Sequence, residues 1–256
     1  MSATPGQPEP ADAPSPRTVL VSGASRGIGR AIAERLLAEG HRVSAGVRDP
    51  AGLQAETGAA ALCRQAPDRL LIHPYEASAG DAAPRGPRAW VEATAERWGG
   101  IDALVHCAGV FSRVGLQYAD GEEEEIGRVL DVNLMGPWRL SRAAWPLLAA
   151  SGDGRVLTLV SMSGKRVKGR LAAYGASKFA LLALCQTMRN EGWDDGIRVT
   201  AICPSWVNTA MAAAVTAIPR QAMTQPQDLA ASVSHLLALP AAAVPFEFSV
   251  NCQLEA

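Results

Sequence analysis

The stretch TVLVSGASRGIGRAIAERLLAE, residues 18–39, reads as a strand, a glycine turn and a helix. Residues 18–21 are β-branched or apolar, and residues 30–39 have the composition of a helix. Between them Gly23 permits a tight turn, Gly27 lets the backbone approach a phosphate, and Gly29 lets helix and strand pack closely. A helix starting there presents free N–H groups and the positive end of its dipole to a pyrophosphate. The glycines are spaced G-x-x-x-G-x-G rather than the commoner G-x-G-x-x-G, so it is the flanking strand and helix that mark the turn as a dinucleotide site.

Working outward, Gly40 stops the helix and a second strand covers residues 42–47, followed by Arg48. A carboxylate at the end of that strand accepts from a ribose 2′-hydroxyl, whereas an arginine pairs with a 2′-phosphate. Arg48 stands there, Asp49 follows it, and Arg26 in the turn is a second cation. NADP(H) is therefore expected over NAD(H). Further strands are expected at residues 70–73, 101–106, 154–161, 197–203 and 246–250, and helices at 88–98, 122–150, 174–192 and 228–239. The alternation predicts an α/β fold, a Rossmann-like doubly wound and mostly parallel seven-stranded sheet with helices on both faces, binding ligands at the carboxyl ends of its strands. Residues 1–16, rich in proline, alanine and small polar residues, read as a disordered tail, and residues 17–256 as one domain.

Composition narrows the partners. A net charge of −1 supplies no field for nucleic acid. The five cysteines, Cys63, Cys107, Cys185, Cys203 and Cys252, lie mostly in apolar runs and read as reduced, buried thiols. Neither they nor the scattered histidines have metal-ligand spacing, so no metal is expected. No apolar run reaches the ~18–20 residues of a membrane span, and the N-terminus lacks a charged start with an apolar core, which predicts a cytoplasmic protein.

The stretch SMSGKRVKGRLAAYGASK, residues 161–178, carries the chemistry. Tyr174 and Lys178, four apart, share a helix face, and a neighbouring cation lowers a phenol pKa from its free value near ~10. Tyr174 is the candidate acid/base. The helix it opens has a predicted apolar face of Phe179, Leu182 and Met188. Upstream, Asn133 is polar in an apolar helix and reads either as a satisfied core amide or as a backbone distortion serving a proton path. The acidic run Glu122 to Glu125 suits a helix N-terminus. Lys165, Arg166, Lys168 and Arg170 read as a solvated loop or a subunit contact, with attraction of an anionic substrate as the alternative.

Taken together, residues 17–251 resemble the short-chain dehydrogenase/reductase family of the single-domain type. The family's T-G-x-x-x-G-x-G turn stands as Ser22 to Gly29, its D-V-[ST] motif as Glu76-Ala77-Ser78, and its N-N-A-G as His106-Cys107-Ala108-Gly109, with both asparagines replaced. Its catalytic tetrad falls on Asn133, Ser161, Tyr174 and Lys178, and its P-G on Pro204-Ser205.

The resemblance implies hydride transfer between a nicotinamide and a carbonyl or secondary alcohol, Ser161 binding the carbonyl oxygen, Tyr174 donating the proton, Lys178 lowering its pKa and Asn133 holding a water. Cofactor contacts would come from Gly23, Ser25, Arg26, Gly27, Ile28, Gly29, Arg48, Glu76, Ala77, Ala108, Gly109, Tyr174, Lys178, Pro204, Val207 and Thr209. Met162, Trp206 and Met211 would line the pocket of a small-molecule substrate, under an alanine-rich lid at 209–226. A homodimer or homotetramer is implied by the resemblance alone. The competing readings are an NAD-dependent alcohol dehydrogenase and a non-catalytic nucleotide sensor.

Overall fold

In the computed structural model, which describes residues 16–51 and 66–253, seven strands form one parallel sheet in the order β3-β2-β1-β4-β5-β6-β7. Of the expected tail at 1–16, residues 1–15 lie outside the described residues, as does Cys63. The strands are β1 (Thr18–Ser22), β2 (Arg42–Val47), β3 (Leu70–Pro74), β4 (Ala103–His106), β5 (Arg155–Leu159), β6 (Arg198–Pro204) and β7 (Glu247–Val250). The helices are α1 (Gly27–Ala38), α2 (Pro87–Trp98), α3 (Glu123–Leu130), α4 (Gly136–Ala150), α5 (Ala172–Gly192) and α6 (Pro226–Ala238). The expected fold class is therefore present.

Side chains alternate across the sheet, and this divides the core in two. Val19, Val21, Val105 and Leu157 meet Ile32 and Leu36 of α1 and Val233 and Leu236 of α6 on one face. Leu20, Leu104, Val156 and Val199 meet Trp90 of α2, Leu140 of α4 and Leu181 of α5 on the other. Both faces of the central strands are buried, so their sequences read as nearly unbroken apolar runs.

The strand order reverses between β1 and β4, and such a switch point opens a crevice at the carboxyl ends of the strands. One serine closes the base of this crevice. Ser22 Oγ accepts from the N–H of Cys107 at 3.0 Å and of Ala108 at 3.1 Å, tying the end of β1 to the end of β4. His106 ties β4 to α4 through Ser141 Oγ at 2.8 Å. Strand knitting is thus supplied by a serine and an imidazole where the resemblance leads one to expect asparagine amides.

Two local expectations change. The predicted 122–150 helix is interrupted by a π-helical turn at Asp131–Met135, so α3 and α4 are separate elements and Asn133 sits in the interruption. Phe179, assigned to the apolar face of α5, is instead 44% exposed. The helix buries Tyr174, Lys178, Leu181 and Cys185, a stripe at i, i+4, i+7 and i+11, which puts Phe179 outside it.

Burial pushes the imidazole of His106 down to about 3. The folded protein holds it neutral, while the unfolded chain takes up its proton near the ordinary value of 6.5. Its contribution to stability is present above that value and lost as the pH falls toward the folded one. His106→Asn should therefore flatten the acid side of the stability curve: between about pH 6.5 and about pH 4 the wild-type Tm should fall more steeply than the variant's. Parallel Tm curves in thermal unfolding would exclude a buried neutral His106.

Candidate active site

The glycine turn has the shape its spacing implies. Gly23 (φ 68°) and Gly27 (φ 57°) adopt left-handed conformations that a side chain strains. A Cβ on Gly29 would lie 2.4 Å from the Gly23 carbonyl oxygen, and one on Gly23 would lie 2.8 Å from the Ala108 nitrogen. The start of α1 thus packs directly on the turn, and the turn directly on the end of β4. Arg26, extended at the N-cap, makes no capping bond with its side chain. The Gly23 N–H donates to the Gly46 carbonyl of β2 at 3.0 Å, which joins the turn to the strand that ends at Arg48. Arg48 is exposed there, and its carbonyl accepts from the Arg85 guanidinium. These backbone cradles fit the pyrophosphate of a dinucleotide.

The tetrad residues come from three places: Asn133 from the π-helical turn, Ser161 from just beyond β5, and Tyr174 and Lys178 from α5. Ser161, directly beyond β5, is the one described non-glycine residue with positive φ (155°), and its Oγ accepts from the Ser163 N–H at 3.0 Å. Tyr174 and Lys178 lie on the first turns of α5. The loop before α5 packs onto it through glycines: a Cβ on Gly164 would come 2.7 Å from the Lys178 carbonyl, and one on Gly175 2.7 Å from Val167. Lys178 Nζ donates to the Leu159 carbonyl of β5 at 2.9 Å and lies 5.8 Å from the Tyr174 ring centroid. Phe111 meets the same ring edge-on with centroids 5.0 Å apart.

Asn133 is fully buried, and its amide is used on all sides. Nδ2 donates to the Val110 carbonyl at 2.9 Å and to Ser177 Oγ at 3.0 Å, and Oδ1 accepts from the Val110 N–H at 2.8 Å. Ser177 in turn donates to the Tyr174 carbonyl at 2.7 Å. The π-helical turn therefore aims one amide that fixes both the loop after β4 and the helix of the tyrosine.

Electrostatics depart from the expectation for the phenol. Tyr174 is held above its ordinary value by burial, opposed only by Ser161, which hydrogen-bonds the phenolate form. Lys178 does not bring it down; its own ammonium is pushed down to about 8 by burial. Both groups have been taken from water into one apolar pocket, and desolvation outweighs their mutual influence. The outcome at neutral pH is a protonated phenol beside a mostly protonated lysine. Cys107, by the same desolvation, is pushed up to about 12 and stays a thiol.

A cavity of about 210 Å³ gathers much of this set. Ser161, Tyr174 and Lys178 line it with Ile28, Gly109, Pro204, Val207 and Thr209, and the expected substrate contacts Met162, Trp206 and Met211 also reach it. Asn133 stands behind it, and Gly23, Ser25, Arg26, Gly27, Gly29, Arg48, Glu76, Ala77 and Ala108 lie outside its lining. Ala77 is buried against Gly136 of α4, and Glu76 accepts from the Ser78 hydroxyl at 3.2 Å. Residues not foreseen at the site include Cys107, Val110, Phe111 and Leu171. Phe111 stands only two residues after Gly109, and that proximity was the available signal. Of the expected lid, 3₁₀ turns at Ala210–Ala212 and Arg220–Ala222 are present, closed at the base by a Val207–Thr224 bridge. Ser205 takes the place of the expected glycine by bonding onward: its N–H donates to the Val250 carbonyl at 2.8 Å and its Oγ accepts from the Cys252 N–H at 3.0 Å.

Among the described residues no helix is long and apolar enough to cross a membrane. The chain is 36% identical over 237 residues to an agropine synthesis reductase of Rhizobium rhizogenes, across 93% of this chain and 53% of that protein, so it spans about half of that relative's length. It is 29% identical to an acetoacetyl-CoA reductase of Allochromatium vinosum, across 86% of this chain and 90% of that one. The fold superposes with a TM-score of 0.79 on an alcohol dehydrogenase from the archaeon Thermococcus sibiricus complexed with 5-hydroxy-NADP, at 27% identity, covering 91% of this chain and 95% of that chain. The family model for short chain dehydrogenases matches residues 17–219, and with seven parallel strands, the glycine turn and the tyrosine–lysine helix in place, the chain belongs to the short-chain dehydrogenase/reductase family.

Proposed function

We propose that the protein reduces a carbonyl compound to a secondary alcohol with NADPH, Tyr174 acting as the proton donor. The observation that carries this is the buried, protonated Tyr174 hydroxyl beside Ser161 in a cavity shared with the Lys178 ammonium. Bound NADPH supplies the hydride. Ser161 and Tyr174 donate to the carbonyl oxygen as negative charge develops on it, and Tyr174 releases its proton to the alkoxide. Lys178, within reach of the tyrosine ring, stabilises the phenolate left behind. Val110, Phe111 and Leu171 keep water away from the reacting carbon. Asn133 positions Val110 and, through Ser177, the tyrosine backbone; with both amide protons taken by protein acceptors, a water that reloads Lys178 would be met by its oxygen or by the π-helical backbone around it.

Support for the reductive direction is that the phenol is held protonated, and that two similar proteins are named as reductases. NADP(H) is favoured by Arg26 and Arg48 around the turn, with Arg85 against the Arg48 backbone, and by the NADP analogue in the similar archaeal enzyme. Self-association is proposed through exposed apolar side chains such as Trp138 on α4 and Phe179 on α5.

Tyr174→Phe should lower kcat about 10²–10³-fold while NADPH affinity, read by cofactor fluorescence, stays within a few-fold of wild type. A Phe variant that keeps most of its carbonyl-reducing rate would remove Tyr174 as the acid. Cofactor titration provides a separate check. Wild type should show the higher kcat/KM with NADPH, and Arg48→Glu should lower the NADPH/NADH ratio by about tenfold or more. An unchanged ratio would take Arg48 out of cofactor recognition.

A further inference from the structure

We infer that Phe111 is a positioning residue for the reaction, holding the ring of Tyr174 in the orientation that points its hydroxyl at the substrate carbonyl; this rests on the proton-donor role proposed for Tyr174. The backbone of the tyrosine is fixed by Ser177 Oγ, which donates to its carbonyl at 2.7 Å. That bond does not set χ1, and rotation about χ1 swings the hydroxyl. A misplacement of about 1 Å can cost about 10²-fold in rate, so the ring itself must be held by packing.

The Phe111 ring supplies that packing, with 5.0 Å between centroids and 63° between planes, the edge-to-face arrangement that aromatic pairs prefer. Phe111 is in turn held in a short loop pinned on both sides. Before it, both backbone groups of Val110 are bonded to the Asn133 amide, at 2.8 and 2.9 Å. After it, the Val114 carbonyl accepts at 3.3 Å from the N–H of Ala173, the residue preceding Tyr174. The Val114 N–H donates to the oxygen of the buried Ser112 hydroxyl at 3.2 Å. The loop is thereby tied to the π-helical turn and to the first turn of α5, with Phe111 between the ties. A second aromatic pair, Tyr75 with Trp90 at 4.7 Å, packs in the core and lies outside the cavity lining, whereas Phe111 and Tyr174 both line the cavity. The orientation of the Tyr174 ring therefore bears directly on chemistry. An aliphatic side chain at 111 would supply apolar bulk without the edge-to-face preference.

The test measures NADPH-driven reduction of two small ketones, diacetyl and ethyl acetoacetate, by the full chain. kcat is taken per NADPH-binding site, counted by cofactor fluorescence, so that misfolded chain does not enter. Phe111→Leu should lower kcat and kcat/KM by the same factor, about tenfold, with KM and NADPH affinity within about twofold of wild type. Phe111→Tyr, which keeps the ring, should stay within about threefold of the wild-type kcat. A rise in KM with kcat unchanged would make Phe111 a wall of the substrate pocket only. A leucine variant as fast as wild type, or a tyrosine variant as slow as the leucine one, would also overturn the positioning role. Tyr174→Phe, assayed alongside, separates the two readings. If it is inactive while Phe111→Leu is unaffected, the positioning role alone fails; if it keeps the rate, or if wild type reduces neither ketone, the proton-donor role fails and this inference with it.

Discussion

Burying an ammonium group costs several kcal/mol unless something receives its charge, and Lys178 is only 5% exposed. Its receivers are the Leu159 carbonyl at the end of β5, the face of Tyr174 and the polarisable thiols of Cys107, Cys185 and Cys203 around it. None is a carboxylate, so the charge is weakly compensated and the group titrates near about 8. Much of the site follows from this constraint. A lysine at the carboxyl end of the central strands must have helix α5 close against β5, and Gly164 and Gly175 let the intervening loop pack onto that helix. Once there, it leaves the phenol four residues earlier buried, protonated and beside Ser161.

The crevice around this pair is held open by short polar clamps rather than by bulk. Ser22, Ser141 with His106, and Asn133 each bridge two elements near the point where the strand order reverses. Every clamp ends on backbone or on a neutral side chain, so the clamps themselves add no charge beside Lys178. The replacements of the family's asparagines and of its glycine at 205 therefore do not loosen the frame. A different hydrogen bond occupies each place, and at Ser205 it also reaches the strand edge at Val250 and the segment at Cys252.

Much of this was legible in the sequence, for reasons that differ by element. The fold followed from residues 18–39, because a glycine turn between strand and helix admits few topologies, and the parallel strands are buried on both faces. Tyr174 and Lys178 were legible because helical spacing puts them on one face, and Ser161 came from the family resemblance. What stayed hidden depended on three-dimensional burial. The direction of the Tyr174 shift needs the desolvation of both partners, and spacing alone suggested the opposite sign. The exposure of Phe179 follows from which stripe of α5 meets the sheet, and the π-helical turn at Asn133 has no composition of its own. The basic loop was the least decipherable stretch, since only the folded structure pairs Lys165 with Glu247 and turns Arg166 and Lys168 to the cavity.

The account stands or falls on a protonated phenol working beside a lysine that titrates near about 8. The most direct measurement is the pH dependence of kcat/KM for NADPH-driven carbonyl reduction, from about pH 6 to about pH 10. Below the Lys178 value the ammonium is present to stabilise the forming phenolate, and the rate should be level. Above it the cation is lost before Tyr174 deprotonates, so the rate should fall from near pH 8, and Lys178→Arg should move that fall upward. A profile that stays level to about pH 10, or a fall unmoved by the arginine, would contradict the account.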